Sequence, residues 1–168
     1  IEVTIPAGIR SGMSVRISEK GEPGINGGPR GDLMVEVLVE EDSNYYRQDN
    51  DLYSNVTISY AVAALGGSIV IDTVDGKVLY DVKEGTQTGT RVRLKGKGVP
   101  SLQNKNDRGD QYITLTVETP TKLSREAREL LEKFDEATGD SLHEAERVRD
   151  NGDGPKETVK GKRKKFWK

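Results

Sequence analysis

Apolar and polar side chains alternate from Ile1 to Ile5, and a period of two reads as a half-buried strand, which Pro6-Ala7-Gly8 ends. A second strand, Ser14 to Ser18, follows a turn at Gly12, and a glycine-rich loop from Gly21 to Gly31 leads into a strand at Leu33 to Glu40. A charged joint, Glu40 to Asn44, precedes a strand around Asn55 to Tyr60 and a short helical segment at Ala61 to Leu65. Gly66-Gly67 stops that helix, because glycine accepts the left-handed conformation a helix end needs. Ser68 to Thr73 and Lys77 to Val82 then flank Asp75-Gly76, a strong hairpin signal. After Thr119-Pro120 the pattern becomes helical: Ser124 is a suitable N-cap, Glu126 lies in the first turn, Ala127, Leu130, Leu131 and Phe134 share one face, and Gly139 supplies the stop. Beyond it the chain is polar, and Asn151-Gly152-Asp153-Gly154-Pro155 with the lysine-rich end reads as a disordered tail whose apolar pair is Phe166-Trp167.

Two stretches repeat each other. Ile5, Gly8, Gly12, Val15, Arg16, Ile17 and Gly21 keep the spacing of Val82, Gly85, Gly89, Val92, Arg93, Leu94 and Gly98. After a one-residue length change, Arg30-Gly31-Asp32 recurs as Arg108-Gly109-Asp110, and each trio opens an alternating apolar run. Such self-similarity means one supersecondary unit used twice, so the pattern predicts two similar β-modules.

Composition narrows what these modules can do. At 168 residues, 33% hydrophobic and 5% aromatic, the chain supports one or two small domains with modest cores. Its formal charge of −2 is uneven, with Lys156, Lys160, Lys162, Arg163, Lys164, Lys165 and Lys168 gathered at the end. The remainder carries no basic excess, so a nucleic-acid-binding body is not indicated. The absence of cysteine excludes disulfides and thiolate metal sites and fits a reducing compartment. No apolar run approaches the roughly 20 residues that span a bilayer, and no signal peptide opens the chain. It begins at Ile1 rather than Met, which suggests a piece of a longer protein.

Catalytic chemistry finds little support. The one histidine, His143, falls past the predicted helix in a solvated stretch and reads as a surface group, not a base. Carboxylates are scattered, without a pair that spacing alone would set on one face of a cleft. The glycines of Gly21 to Gly28 and of Lys95-Gly96-Lys97-Gly98 precede no helix N-terminus and no Gly-Lys-Ser/Thr, so they read as turns rather than phosphate cradles. The two Arg-Gly-Asp trios stand at matched strand entries, where an Asp can bond its own backbone, and need no adhesive role. Asn55-Val56-Thr57 is formally a glycosylation acceptor inside a predicted strand. The basic tail with Phe166-Trp167 reads either as a solvated extension or as a contact for acidic partners. Binding through β-structure remains, since an unpaired strand edge pairs with an extended peptide while shallow apolar pockets take alternate side chains. Ile1, Val3 and Ile5 form one apolar row that serves either as core or as such a pocket.

At this point the residues resemble a known family. Ile1-Glu2-Val3-Thr4-Ile5-Pro6-Ala7-Gly8, Gly28-Pro29-Arg30-Gly31-Asp32-Leu33, Ala63-Ala64-Leu65-Gly66-Gly67, Thr73-Val74-Asp75-Gly76-Lys77, Gly85-Thr86-Gln87-Thr88-Gly89, Gly96-Lys97-Gly98-Val99-Pro100-Ser101 and Val117-Glu118-Thr119-Pro120 are similar to the carboxy-terminal region of DnaJ-type J-domain co-chaperones. The similarity runs in order from Ile1 to about Glu136. It implies two tandem β-sandwich domains that bind non-native polypeptides and pass them to a DnaK-type chaperone. It also implies that zinc belongs to a module upstream of Ile1, so that no cofactor is expected in these residues, and no His-Pro-Asp tripeptide of a J-domain occurs.

Carried over by position, the resemblance assigns client binding to Ile1 and, through the stretch Tyr45-Tyr46-Arg47-Gln48-Asp49-Asn50-Asp51-Leu52, to Tyr45. Two departures accompany it. Tyr45 adds a hydroxyl where the family has Phe, and Asp49 replaces a turn glycine. Leu130, Leu131 and Phe134 are dimerisation candidates, because the family dimerises after its second β-domain. The expectation is therefore a mainly β, non-enzymatic chain: a partial first β-domain at 1–44, a second at 45–120, an amphipathic helix at 121–138 and a flexible basic tail at 139–168. Ile1, Val3, Ile5 and Tyr45 are its client-binding residues, with no metal, no nucleic acid and no membrane span. Its partners are unfolded polypeptides, a DnaK-type chaperone through the full-length protein, and a second copy. The expected location is the cytoplasm or an organelle interior. The competing reading is a scaffold or dimerisation module with little client affinity of its own.

Overall fold

Turn residues cut the alternating pattern into short strands, and the apolar side of each strand decides what it packs on. The computed structural model describes residues 1–104 and 106–139, which divide into a unit Ile1–Thr119 and a second that starts at Pro120. In the first unit the elements are β1 (Met13–Ile17), β2 (Leu33–Val37), β3 (Tyr46–Gln48), β4 (Asp51–Ser59), α1 (Tyr60–Leu65), β5 (Gly67–Thr73), β6 (Gly76–Val82), β7 (Thr90–Leu94) and β8 (Gln111–Glu118). The second unit contributes α2 (Arg125–Thr138).

The strands form a β1-β2 pair, a four-stranded sheet in the order β3-β4-β8-β7, and a β5-β6 hairpin. All pairs are antiparallel except β4 and β8, which run parallel, Leu52 opposite Gln111 through Ser59 opposite Glu118. The hairpin and α1 cover the inner face of the four-stranded sheet. Ile71 and Val82 from the hairpin, Ala63 from α1, Ile58, Val92, Ile113 and Leu115 from the sheet form one buried cluster. This is the sandwich core, in which side chains of facing layers interdigitate. On the outer face, Tyr46, Tyr53 and Tyr112 stand opposite one another across β3, β4 and β8, with ring centroids 6.2 and 5.3 Å apart. Such cross-strand aromatic pairs fix register.

The local signals work as read. The Ser59 hydroxyl accepts the Val62 N–H at 3.2 Å to cap α1, and Gly66 ends it at φ 77°. The Ser124 hydroxyl accepts the Ala127 N–H at 3.1 Å to cap α2, and Gly139 closes that helix in the left-handed region. Other expectations need correction. Ile1–Ile5 is not a strand: its alternation supplies a face but no ladder partner, and the described strands pair among themselves. The strand expected around Asn55 to Tyr60 begins earlier, at Asp51, and Tyr60 enters the helix. β3 was hidden in the polar stretch before it, and the run from Leu33 ends at Val37, not Glu40. The tail expected to be disordered, with His143 and Phe166-Trp167, lies outside the described residues from residue 140 on.

Candidate functional site

A charged joint looked unremarkable in sequence, yet it forms one wall of the described cleft. The open cleft of about 1000 Å³ lies within the first unit. Arg10, Ser11, Val39 and the joint from Glu40 to Asn44 form one side, and Tyr45 to Arg47, Asp49 and Leu52 the other; Thr73, Val74 and Val99 complete it. Leu52 and Thr73 are buried, whereas Val39 and Val74 are about half exposed, so the cleft offers an apolar floor with an accessible rim.

Tyr45 stands on this lining, half-buried. Its backbone N–H donates to the Asp42 carbonyl at 3.3 Å, and its hydroxyl has no hydrogen-bond partner among the described residues. Burial raises the Tyr45 pKa above its ordinary value, and the carboxylates of Asp72 and Asp42 push in the same direction. The phenol therefore stays a neutral donor, available to a bound group.

Two ties hold the walls. The Arg47 guanidinium donates from Nη1 to the Ile9 carbonyl at 2.8 Å, from Nη2 to the Gly8 carbonyl at 2.6 Å and from Nε to the Asp49 carbonyl at 2.8 Å. Arg10 Nη2 reaches Asp49 Oδ1 at 3.0 Å. Asp49 holds φ at 55°, a left-handed conformation that a glycine would take without strain. Burial lowers the Arg47 pKa and Arg10 adds to that push, although a guanidinium stays protonated throughout the ordinary range.

In the first unit, the other sequence-predicted residues do not line the cleft. Ile1 and Ile5 are 82% and 56% exposed, Val3 is half-buried, and none of the three lines it. In the second unit, Leu130, Leu131 and Phe134 are 40–59% exposed on α2. Sequence reasoning missed Arg10, Arg47, Val39 and Val74 as site residues. Arg47 was visible inside the matched stretch, but its partners, 38 and 39 residues away, were not. No group of three or more metal-ligating side chains occurs among the described residues, and no described helix is long and apolar enough to cross a membrane.

Known proteins agree with this architecture. The family model "DnaJ C terminal domain" matches residues 1–120. The chain is 56% identical over 144 residues to the Chaperone protein DnaJ of Lachnospira eligens, covering 85% of this chain and 38% of that protein. It is 46% identical over 144 residues to the protein of the same name from Ruminiclostridium cellulolyticum, covering 86% and 38%. Against that from Clostridioides difficile it is 46% identical over 148 residues, covering 88% and 38%. The chain thus spans about 38% of the length of these curated relatives. With the family model matched across the whole β-rich unit, the chain belongs to the DnaJ C-terminal domain family.

Proposed function

We propose that this chain is the polypeptide-binding region of a DnaJ-type co-chaperone, which holds non-native segments for delivery, by the full-length protein, to a DnaK-type chaperone. The observation that carries this reading is Tyr45: an aromatic side chain whose hydroxyl has no hydrogen-bond partner among the described residues, on an open cleft floored by Leu52 and rimmed by Val39 and Val74. An extended segment can place an apolar side chain against that ring. It can also pair its backbone with β3, which among the described strands is an edge strand bonded to β4 alone. The exposed row of Ile1 and Ile5 with Val3 supplies a second apolar contact for the same segment. Binding of this kind is reversible, makes no covalent bond, and needs neither metal nor catalytic base.

The test is a fluorescence-anisotropy titration of a labelled, permanently unfolded polypeptide with this chain, beside Ile1→Ser and Tyr45→Ala. Saturable binding is expected, with Tyr45→Ala weakening it by about tenfold, the order of one buried aromatic contact, and Ile1→Ser by less. A folded wild-type chain that does not bind would reject the reading. A second reading, a homodimer through α2, is favoured by the 40–59% exposure of Leu130, Leu131 and Phe134. Sedimentation equilibrium that shows monomer at all concentrations would exclude it.

A further inference from the structure

Among the described strands the β1-β2 pair shares no ladder with the four-stranded sheet, although Arg10, Ser11 and Val39, which flank the pair, line the cleft together with Tyr46, Arg47 and Leu52 of the sheet. Among the described residues, the hydrogen bonds and ion pairs that join residues 1–39 to residues 45–119 all run through Arg47 or Asp49. Arg47 does most of this work, because its planar fork reaches two consecutive carbonyls while Nε grips its own turn at Asp49. The loop it holds is seated on its other side too. Gly8 lies at φ 94°, and a Cβ there would overlap the Pro100 carbonyl oxygen, so the loop has one close-packed position. Ser11, three residues on, accepts the Val39 N–H at 3.1 Å and so carries that position into the cleft wall.

We propose that Arg47 is a positioning residue for polypeptide binding: by clamping the Gly8–Ile9 loop to the β3–β4 turn it sets the opening of the cleft in which Tyr45 stands. The proposal rests on the polypeptide-binding reading above. Occupancy of the cleft and integrity of the clamp are then coupled, since a cleft free to splay must be closed again at the expense of binding. Lysine keeps the charge but offers one compact ammonium, which cannot span two carbonyls and the turn together. Arg10–Asp49, with both side chains largely exposed, is the weaker tie.

The experiment uses the intact chain, whose lack of cysteine permits clean labelling. Spin labels at Glu36→Cys and Val70→Cys, on outward positions of β2 and β5, report the distance between the two parts. The anisotropy titration runs in parallel. The parent should give a narrow distance distribution. Arg47→Gln should broaden it and weaken binding by roughly fivefold or more, the lower end of typical coupling between sites. Saturating polypeptide should narrow it again, and Arg47→Lys should fall between. A broadened distribution with undiminished binding would overturn the proposal, as would an unchanged distribution in both variants. Should Arg47→Gln fail to fold, Arg47→Lys decides by the same criteria. A parent chain with a narrow distribution that binds no polypeptide would sink the site reading and, with it, the claim that Arg47 serves binding.

Discussion

The two copies of the repeat make the same bonds but differ in how far the rest of the fold closes over them. Gly12 donates its N–H to the Val37 carbonyl at 2.9 Å in the first, and Gly89 to Leu115 at 2.7 Å in the second. Gly21 donates to Gly31 and Gly98 to Gly109, both at 2.8 Å. Arg30 Nε donates to the Gly21 carbonyl at 3.1 Å, and Arg108 Nε to Gly98 at 2.7 Å. Asp32 accepts the Glu19 N–H at 3.0 Å, and Asp110 the Gly96 N–H at 2.7 Å. In the second copy the β3–β4 turn adds a layer: the Asp110 N–H donates to Asp51 Oδ1 at 2.8 Å, and the Val99 N–H to the Asn50 carbonyl at 2.7 Å. Asp75 of the hairpin turn also reaches Arg108 at 2.8 Å and Lys97 at 3.4 Å. The Gly96 N–H holds the Asp110 carboxyl below the usual carboxylate range, with Arg93 assisting. The Arg-Gly-Asp trios therefore build a strand-entry brace, and its strength depends on what covers it.

Core substitutions should show the difference most strongly. Ile113 is fully buried and Val35, its counterpart, only half-buried. Ile113→Ala should cost about 2–5 kcal/mol in urea unfolding and Val35→Ala about 1 kcal/mol or less. Equal losses would mean that both copies have equally closed cores.

Next in size are the braces' close approaches. A Cβ on Gly98 would overlap the Asn50 carbonyl oxygen of the β3–β4 turn as well as the Gly109 backbone, whereas the nearest contacts of one on Gly21 are overlaps with the Asp32 and Gly31 backbone of its own brace. Gly98→Ala should destabilise by about 1–3 kcal/mol, and Gly21→Ala by less, because no second layer like the β3–β4 turn is packed against its brace.

Asp110→Asn should lower the melting temperature at neutral pH more than Asp32→Asn, whose carboxylate meets Arg16 at 3.5 Å in solvent. It should also flatten the acid limb of the stability curve. A carboxyl whose folded pKa is depressed contributes its full stability above the unfolded value of about 3.9, and loses it as pH falls through the lower folded value. Melting curves from neutral pH down into that range check the sign; an acid limb unchanged by Asp110→Asn would contradict it.

The smallest effect concerns one backbone angle. Glu19 holds φ at 59° where the second copy has Gly96 at 69°. Glu19→Gly should stabilise by up to about 1 kcal/mol, as relief of left-handed strain outweighs the added chain entropy. A loss of stability would mean that the two loops are not equivalent.

These matched braces were legible as a repeat because glycine spacing records backbone demands that no other residue meets. Even the register follows: Val15 faces Val35 as Val92 faces Ile113. Alternation at Ile1–Ile5 misled, since period two records a face and says nothing of a ladder partner. β3 escaped because Tyr46-Arg47-Gln48 carries no alternation, and its strand character comes from pairing with Tyr53, Leu52 and Asp51. Tyr45 was singled out through resemblance alone. The cleft beside it was not legible, because its walls come from segments that meet only after β1 and β2 pair and Arg47 reaches back to Gly8.

The most direct test of the central claim is amide hydrogen exchange of the chain with and without saturating unfolded polypeptide. Occupancy of the Tyr45 cleft predicts slowed exchange from Glu40 to Gln48 and around Val74, with the buried β8 amides unchanged. Saturable binding that leaves those segments unprotected, or protects only α2, would contradict it.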